Sequence, residues 1–203
     1  MKILLINQFY KPDVAATGQL LADLAEELAQ RGHEVHVLCS RNMYNGHKVL
    51  LPANETINGV MVHRVRATGF GRQKKIGRMI DYLSFYLLAA WLALRLAKMD
   101  VCIALTTPPF IALIGLMLSK IKKTNFIYWT MDLYPEVAVA YGYMKPNRFL
   151  HRFFSRISTK LYKRANCIIS LGEVMTQRLV SAGADPNKIK TVHNWVPGEA
   201  VDP

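Results

Sequence analysis

Short apolar, β-branched runs alternate along this chain with longer segments whose apolar residues recur at helical spacing, and that alternation predicts its elements. Lys2–Asn7 (KILLIN) reads as a buried strand, followed by a helix at Thr17–Arg31 with Leu20, Leu21, Leu24 and Leu28 on one face, closing at Gly32. Glu34–Cys39 (EVHVLC) is the next strand, and a looser stretch with Pro52, Asn54 and Asn58-Gly59 leads to a strand at Val60–Val65. Gly77–Lys98 makes a long apolar helix, Asp100–Leu105 a strand, Pro109–Lys120 a helix and Asn125–Trp129 a strand. A basic helix follows at Asn147–Arg164, then a strand at Cys167–Ser170, a helix at Glu173–Ala182 and a strand at Lys190–Val192.

Strands bracketed by helices, with each strand apolar on both faces, imply a mostly parallel sheet covered on two sides. The expected architecture is therefore α/β: a doubly wound, Rossmann-like sheet with helices on both faces. In such sheets ligands gather at the carboxyl ends of the strands. The loops after Asn7, Cys39, Leu105, Trp129, Ser170 and Val192 are thus the places to look.

Composition narrows the reading. With 203 residues the chain is about one large domain long. Its 51% hydrophobic and 20% charged residues exclude intrinsic disorder, and no repeat or low-complexity tract is visible. The 26 Lys+Arg against 14 Asp+Glu give a net charge of +12, so a partner met by long-range attraction is anionic: phosphate, nucleic acid or an acidic membrane surface. Cys39, Cys102 and Cys167 each sit in or at the end of an apolar run with no CxxC pair, which reads as buried, reduced thiols in a cytoplasmic compartment. The apolar stretch Ile3–Ile6 is too short for the core of a signal peptide. The uncharged segments Tyr82–Leu94 and Val101–Ser119 are read as elements of a soluble core. The first falls short of the ~20 residues of a spanning helix, and the second is broken at Thr106-Thr107-Pro108-Pro109.

Three constellations could carry chemistry. The loop from Asn7 to Gln19 feeds the first helix and ends in small residues, so that backbone N–H groups and the helix dipole at Thr17 and Gly18 could meet an anion. It contains neither GxGxxG nor GxxxxGK[ST], and Thr17 as a helix cap with Gly18 as a packing residue is the alternative. The second is Trp129-Thr130-Met131-Asp132-Leu133-Tyr134-Pro135-Glu136, which follows a central strand. Carboxylates four positions apart beside aromatics suit a site that orients hydroxyl groups and takes a proton, although Asp132 and Glu136 could equally cap a helix and begin its first turn. The third is basic. Arg148, Arg152, Arg156 and Lys160 recur every four residues beside an apolar stripe, and Arg64, Arg66, Arg72, Lys74, Lys75 and Arg78 precede the long apolar helix. Both clusters lack acids and point to membrane or phosphate contact, with a solvated helix face as the alternative. The six histidines show no metal spacing, and no GxSxG elbow is present.

A series of residues runs in order through the chain: Phe9, Pro12-Asp13 and Thr17-Gly18; Leu24, Leu28 and Arg31-Gly32-His33-Glu34-Val35; Thr107-Pro108-Pro109; Asp132-Leu133-Tyr134-Pro135-Glu136; and His193-Asn194-Trp195-Val196-Pro197. It resembles the N-terminal half of family-4 glycosyltransferases of the GT-B fold, particularly the bacterial branch that builds surface polysaccharides and O-antigen. The resemblance covers essentially the whole chain, and its most specific part is the D-L-Y-P-E run followed by N-W.

The resemblance implies a retaining, metal-independent transferase with no cofactor beyond its nucleotide-sugar donor. Residues 1–193 would form the acceptor-side domain, and residues 194–203 would begin a linker to a donor-binding domain absent from the chain, leaving this fragment inactive by itself. Asp132 and Glu136 would be the catalytic candidates. Asp13, Thr17, Gly18 and Tyr134 would bind substrate, Gly18 by approaching the donor diphosphate, and Asn194 and Trp195 would lie in the hinge. Arg72, Lys74, Lys75, Arg78, Arg148, Arg152, Arg156 and Lys160 would meet the phosphates of a lipid-linked saccharide or an anionic membrane, placing the protein on the inner face of the cytoplasmic membrane. Two alternatives stand beside this: a basic α/β nucleic-acid-binding module, and a non-catalytic GT-B-like subunit completed by a partner chain.

Overall fold

The alternation of strands and helices is present in a computed structural model, which describes residues 1–43, 50–69 and 75–195, with the side chains of residues 75, 76 and 78 outside that description. In chain order the elements are β1 (Lys2–Ile6), α1 (Ala16–Gln30), β2 (Glu34–Ser40), β3 (Asn54–Ile57), β4 (Val60–Val65), α2 (Lys75–Arg95), β5 (Val101–Ala104), α3 (Ala112–Ile121), β6 (Asn125–Trp129), α4 (Glu136–Ala140), α5 (Phe149–Arg164), β7 (Cys167–Ser170), α6 (Glu173–Ser181) and β8 (Ile189–Thr191).

They form one eight-stranded sheet in the order β3-β4-β2-β1-β5-β6-β7-β8. Every pairing is parallel except β3 with β4, an antiparallel hairpin at the edge. The strand β3 was not expected from the pattern, because its sequence NETI carries no apolar run and its residues are only exposed or half-buried. The hairpin's own signal was Asn58-Gly59, whose backbone takes φ of 48° and 81°, the paired positive values of a tight two-residue turn. The short α4 was likewise not expected, since five residues are too few to show a helical period.

Alternate strand residues feed two cores. Leu4, Ile6, Leu38 and Phe126 face a layer made by α2, α3, α5 and α6, while Ile3, Leu5, Val35 and Val37 face α1. Each fully buried side chain of this size contributes about 1.5–3 kcal/mol, which is what holds the parallel sheet between its helices. Cys39 and Cys102 lie fully inside these cores, and burial pushes both thiols up to about 12. Cys167 is half-buried and also raised by burial. Thiols so shifted are poor nucleophiles and pack as small apolar groups.

The helix α2 departs from its reading as a core element. Phe85, Ala89 and Ala93 are buried, but the opposite face leaves Met79, Leu83, Leu87 and Trp91 exposed. No helix among the described residues is long and apolar enough to cross a membrane.

Two packing features make predictions. A Cβ built on Gly115 of α3 would lie 2.5 Å from the ring of Phe126, so the glycine lets α3 pack closely on that ring. Gly115→Ala is expected to destabilise the fold by about 1–3 kcal/mol through overpacking, read as a lower urea midpoint. Across β2, β4 and β3, His36 Nδ1 meets His63 Nε2 at 2.9 Å, and His63 Nδ1 meets Asn54 Oδ1 at 2.9 Å. Burial, and then the charge of His36, hold His63 below its ordinary value of 6.5. The neutral ring is therefore favoured in the folded state, and stability present above pH 6.5 declines as the pH falls below it. The urea midpoint should drop over that window, and His63→Gln should flatten the drop.

Candidate active site at the carboxyl edge of the sheet

The strand order reverses between β1 and β5, so the crevice of the doubly wound sheet opens between the loops that follow these two strands. The loops touch across it, with the Gln8 N–H donating to the Thr107 carbonyl at 2.8 Å. The peptide bonds Lys11–Pro12, Thr107–Pro108 and Tyr134–Pro135, in the loops after β1, β5 and β6, are cis.

In the first loop, polar side chains and a glycine shape the entry to α1. Asp13 is buried and its Oδ1 accepts from the Ala15 N–H at 3.2 Å, so Asp13 shapes the turn into the helix. Ala15, not Thr17, occupies the cap position. Thr17 Oγ1 instead accepts from Asn7 Nδ2 at 3.3 Å, tying the helix to the end of β1. Gly18 is buried, and a Cβ there would stand 3.2 Å from the Phe9 carbonyl, so a side chain at this position would press on the Phe9 backbone.

The loop after β6 brings Asp132 and Glu136 together. Both line a cavity of about 440 Å³ whose wall also includes Met131, Val137, Met175 and Arg178. Glu136 opens α4 and is exposed, whereas Asp132 is half-buried, and that burial raises its carboxyl above the ordinary 3.8. A site lined by two carboxylates, one of them raised by burial, and by an arginine can orient hydroxyl groups and hold a proton. Arg178 carried no sequence signal, because it reaches this cavity from α6, more than forty residues away from Asp132 in the chain. Tyr134 does not line the cavity. Its ring packs on Phe110 at 5.9 Å, and its hydroxyl is pushed up to about 12 by burial and then by the charge of Asp132.

Five buried polar atoms have no hydrogen-bond partner among the described residues: Asn7 Oδ1, Tyr10 Oη, Arg64 Nε, Thr106 Oγ1 and Trp129 Nε1. Asn7, Thr106 and Trp129 stand at the carboxyl ends of the three central strands, with Tyr10 in the loop beyond β1 and Arg64 one residue from the end of β4. Buried polar groups are ordinarily satisfied, and their concentration at one edge makes that edge the candidate site. A second cavity, of about 390 Å³, lies at the opposite edge beside Lys120, Lys123 and Arg164. Lys120 and Arg164 belong to the last turns of α3 and α5, where cations complement the helix dipole.

The profile of the glycosyl transferase 4-like domain matches residues 16–195. The chain belongs to that family. Solved structures with the same fold include HepE of Anabaena in complex with UDP and glucose, at 17% identity and a TM-score of 0.58, covering 96% of this chain and 44% of that one. Sucrose-phosphate synthase from Thermosynechococcus elongatus aligns at 14% identity and 0.64, over 95% and 48% of the two chains. The catalytic domain of starch synthase IV from Arabidopsis thaliana, bound to ADP and acarbose, aligns at 12% and 0.63, over 96% and 51%. The chain thus spans about half the length of these neighbours. No curated protein matches it. Membership of a glycosyltransferase family, on a GT-B-type fold, favours the transferase reading over a nucleic-acid module.

In this glycosyl transferase 4-like domain the two basic clusters separate. Arg148, Arg152, Arg156 and Lys160 are exposed along α5, and none forms an ion pair among the described residues. Arg64, expected among surface cations, is fully buried and pairs with Glu55, while its Nη2 donates to the Lys11 carbonyl at 2.6 Å. A buried guanidinium needs such partners, and this one ties the edge hairpin to the loop after β1. Arg72 and Lys74 lie outside the described residues, as do the side chains of Lys75 and Arg78. Trp195, expected in a hinge, is docked on the domain: it stacks on Trp129 at 5.8 Å and donates through Nε1 to Asp23 at 3.2 Å.

The shift of Asp132 has a checkable sign. Its folded-state value exceeds the unfolded one, so the fold bears the cost of a half-buried charge at neutral pH and none below pH 3.8, where the carboxyl is protonated in both states. Asp132→Asn should therefore raise the urea midpoint at neutral pH, with the gain disappearing under acidic conditions.

Proposed function

We propose that this domain is the acceptor-side half of a retaining glycosyltransferase that moves a sugar from a nucleotide-sugar to a lipid-linked saccharide in cell-surface polysaccharide synthesis. The observation that carries the reading is the cavity at the carboxyl edge where Asp132, Glu136 and Arg178 converge. Family membership supports it, as do the UDP, glucose and ADP named with the neighbouring structures.

The acceptor hydroxyl lies against Asp132, which holds its hydrogen bond and takes up the proton as the new glycosidic bond forms and the bond to the donor's phosphate breaks. Burial holds the Asp132 carboxyl above its ordinary value, suiting it to that task. Glu136, exposed at the start of α4, orients neighbouring hydroxyls, and Arg178 faces anionic or hydroxyl groups of the same substrate. The donor is held by a second domain that closes over this edge, and the reaction needs no metal ion. The lipid carrying the acceptor lies in the inner face of the cytoplasmic membrane, where the exposed cations of α5 meet its phosphates.

In the intact enzyme, Asp132→Asn is expected to lower kcat by roughly 10²–10⁴-fold, while Glu136→Gln raises KM for the acceptor more than it lowers kcat. Steady-state transfer of labelled sugar to a short-chain acceptor measures both, and turnover near the unmodified level in Asp132→Asn overturns the assignment.

A further inference from the structure

The transferase reading leaves the outer face of α2 unused. Met79 is 70% exposed, Leu83 59%, Leu87 63% and Trp91 52%, on a helix whose inner face is fully buried through Phe85 and Ala89. These positions are four residues apart, so they form one continuous apolar stripe along the helix. Soluble monomers seldom expose an apolar patch this extended unless it meets a partner or a membrane. At the end of the stripe the Arg95 guanidinium stands 4.0 Å over the Trp91 ring, putting a cation at the rim of the apolar surface.

A second surface of mixed character lies on the same side of the sheet. The first turns of α5 expose Phe149 at 79%, Leu150 at 58% and Phe153 at 48%, interleaved with exposed Arg148 and Arg152. No acidic residue occurs anywhere in α5. The helix α3 packs against both α2 and α5, so the two surfaces flank it on one face of the sheet. In parallel α/β layers the helices run against the strands, which brings the first turns of α2 and α5 to the carboxyl edge. Phe110, in the loop after β5, stacks on Phe154 of α5 at 5.1 Å and packs on Tyr134 at 5.9 Å, linking α5 to the loop that carries Asp132.

We propose that the exposed stripe of α2 and the aromatic, arginine-bearing start of α5 form one bilayer-docking surface. The stripe enters the boundary between headgroups and acyl chains of an anionic membrane while Arg148 and Arg152 hold lipid phosphates. It rests on the function proposed above only for the presence of a lipid-borne acceptor, and it names the face that brings the site to that lipid. Charge selects this occupant over a second copy of the chain. Two chains of net charge +12 repel each other, and a two-fold contact would set the same arginines against themselves, whereas an acidic bilayer attracts the basic rim. The geometry is that of a helix lying in the interface plane, as expected where no described helix can cross a membrane.

The test uses this chain with vesicles of phosphatidylglycerol and phosphatidylcholine in equal parts, against vesicles of phosphatidylcholine alone. Co-sedimentation should show binding to the anionic vesicles, weakened by salt. Tryptophan emission should shift to the blue and be quenched by brominated lipid, and both effects should vanish in Trp91→Phe, which leaves Trp129 and Trp195 in place. The double variant Leu83→Ser with Leu87→Ser, at positions already exposed, should bind roughly ten-fold or more weakly with an unchanged melting profile. The variant Arg148→Glu with Arg152→Glu should lose the salt-sensitive part. Absence of vesicle binding, binding with silent Trp91 emission, or a dimer in light scattering that the leucine variant disperses would each overturn the proposal. Turnover of the intact enzyme on a water-soluble acceptor separates the two readings. If the leucine variant keeps that turnover while losing vesicles, both stand; if vesicle binding fails but Asp132→Asn still abolishes turnover, only the docking surface falls.

Discussion

A parallel sheet buried on both faces leaves polar chemistry only its edges, and this constraint organises the whole domain. The alternate residues of β1 and β2 are consumed by two cores, one under α1 and one under α2, α3, α5 and α6. Side chains with work to do must therefore stand where strands end. The reversal of strand order between β1 and β5 opens a crevice at one edge, and it is at that edge that the buried polar atoms without partners collect. The acidic cavity beside Met131 and Arg178 belongs to the same edge, one strand further along the sheet.

The same constraint explains how the charge is distributed. A cation drawn into the interior must be paired, and Arg64 is, through Glu55 and the Lys11 carbonyl. Its role is to fasten the edge hairpin to the loop after β1 and so hold Asp13 and Thr17 where α1 begins. The cations of α5 remain outside, unpaired among the described residues, and give the molecule a basic side with apolar residues set among them. The buried arginine serves architecture, and the exposed ones are available to a phosphate-bearing surface.

Trp195 adds a link between the edge and whatever follows in the chain. By stacking on Trp129 and donating to Asp23 it draws the segment after β8 back across the ends of the central strands.

Much of this was legible in the amino-acid order because it depends on local period and local chemistry. The apolar runs of β1, β2 and β5, the leucine face of α1, the D-L-Y-P-E run after β6 and the basic period of α5 all report themselves within a few residues. The edge strand β3 did not, since it lacks an apolar run and exists only because β4 offers it a pairing edge. The burial of Arg64, the turning of Tyr134 toward Phe110, the arrival of Arg178 in the cavity that Asp132 lines and the exposure of one face of α2 were decided by tertiary structure alone. Each is a meeting, or a failure to meet, between segments far apart in the chain. The spacing of residues within one segment cannot encode which distant surface will cover it.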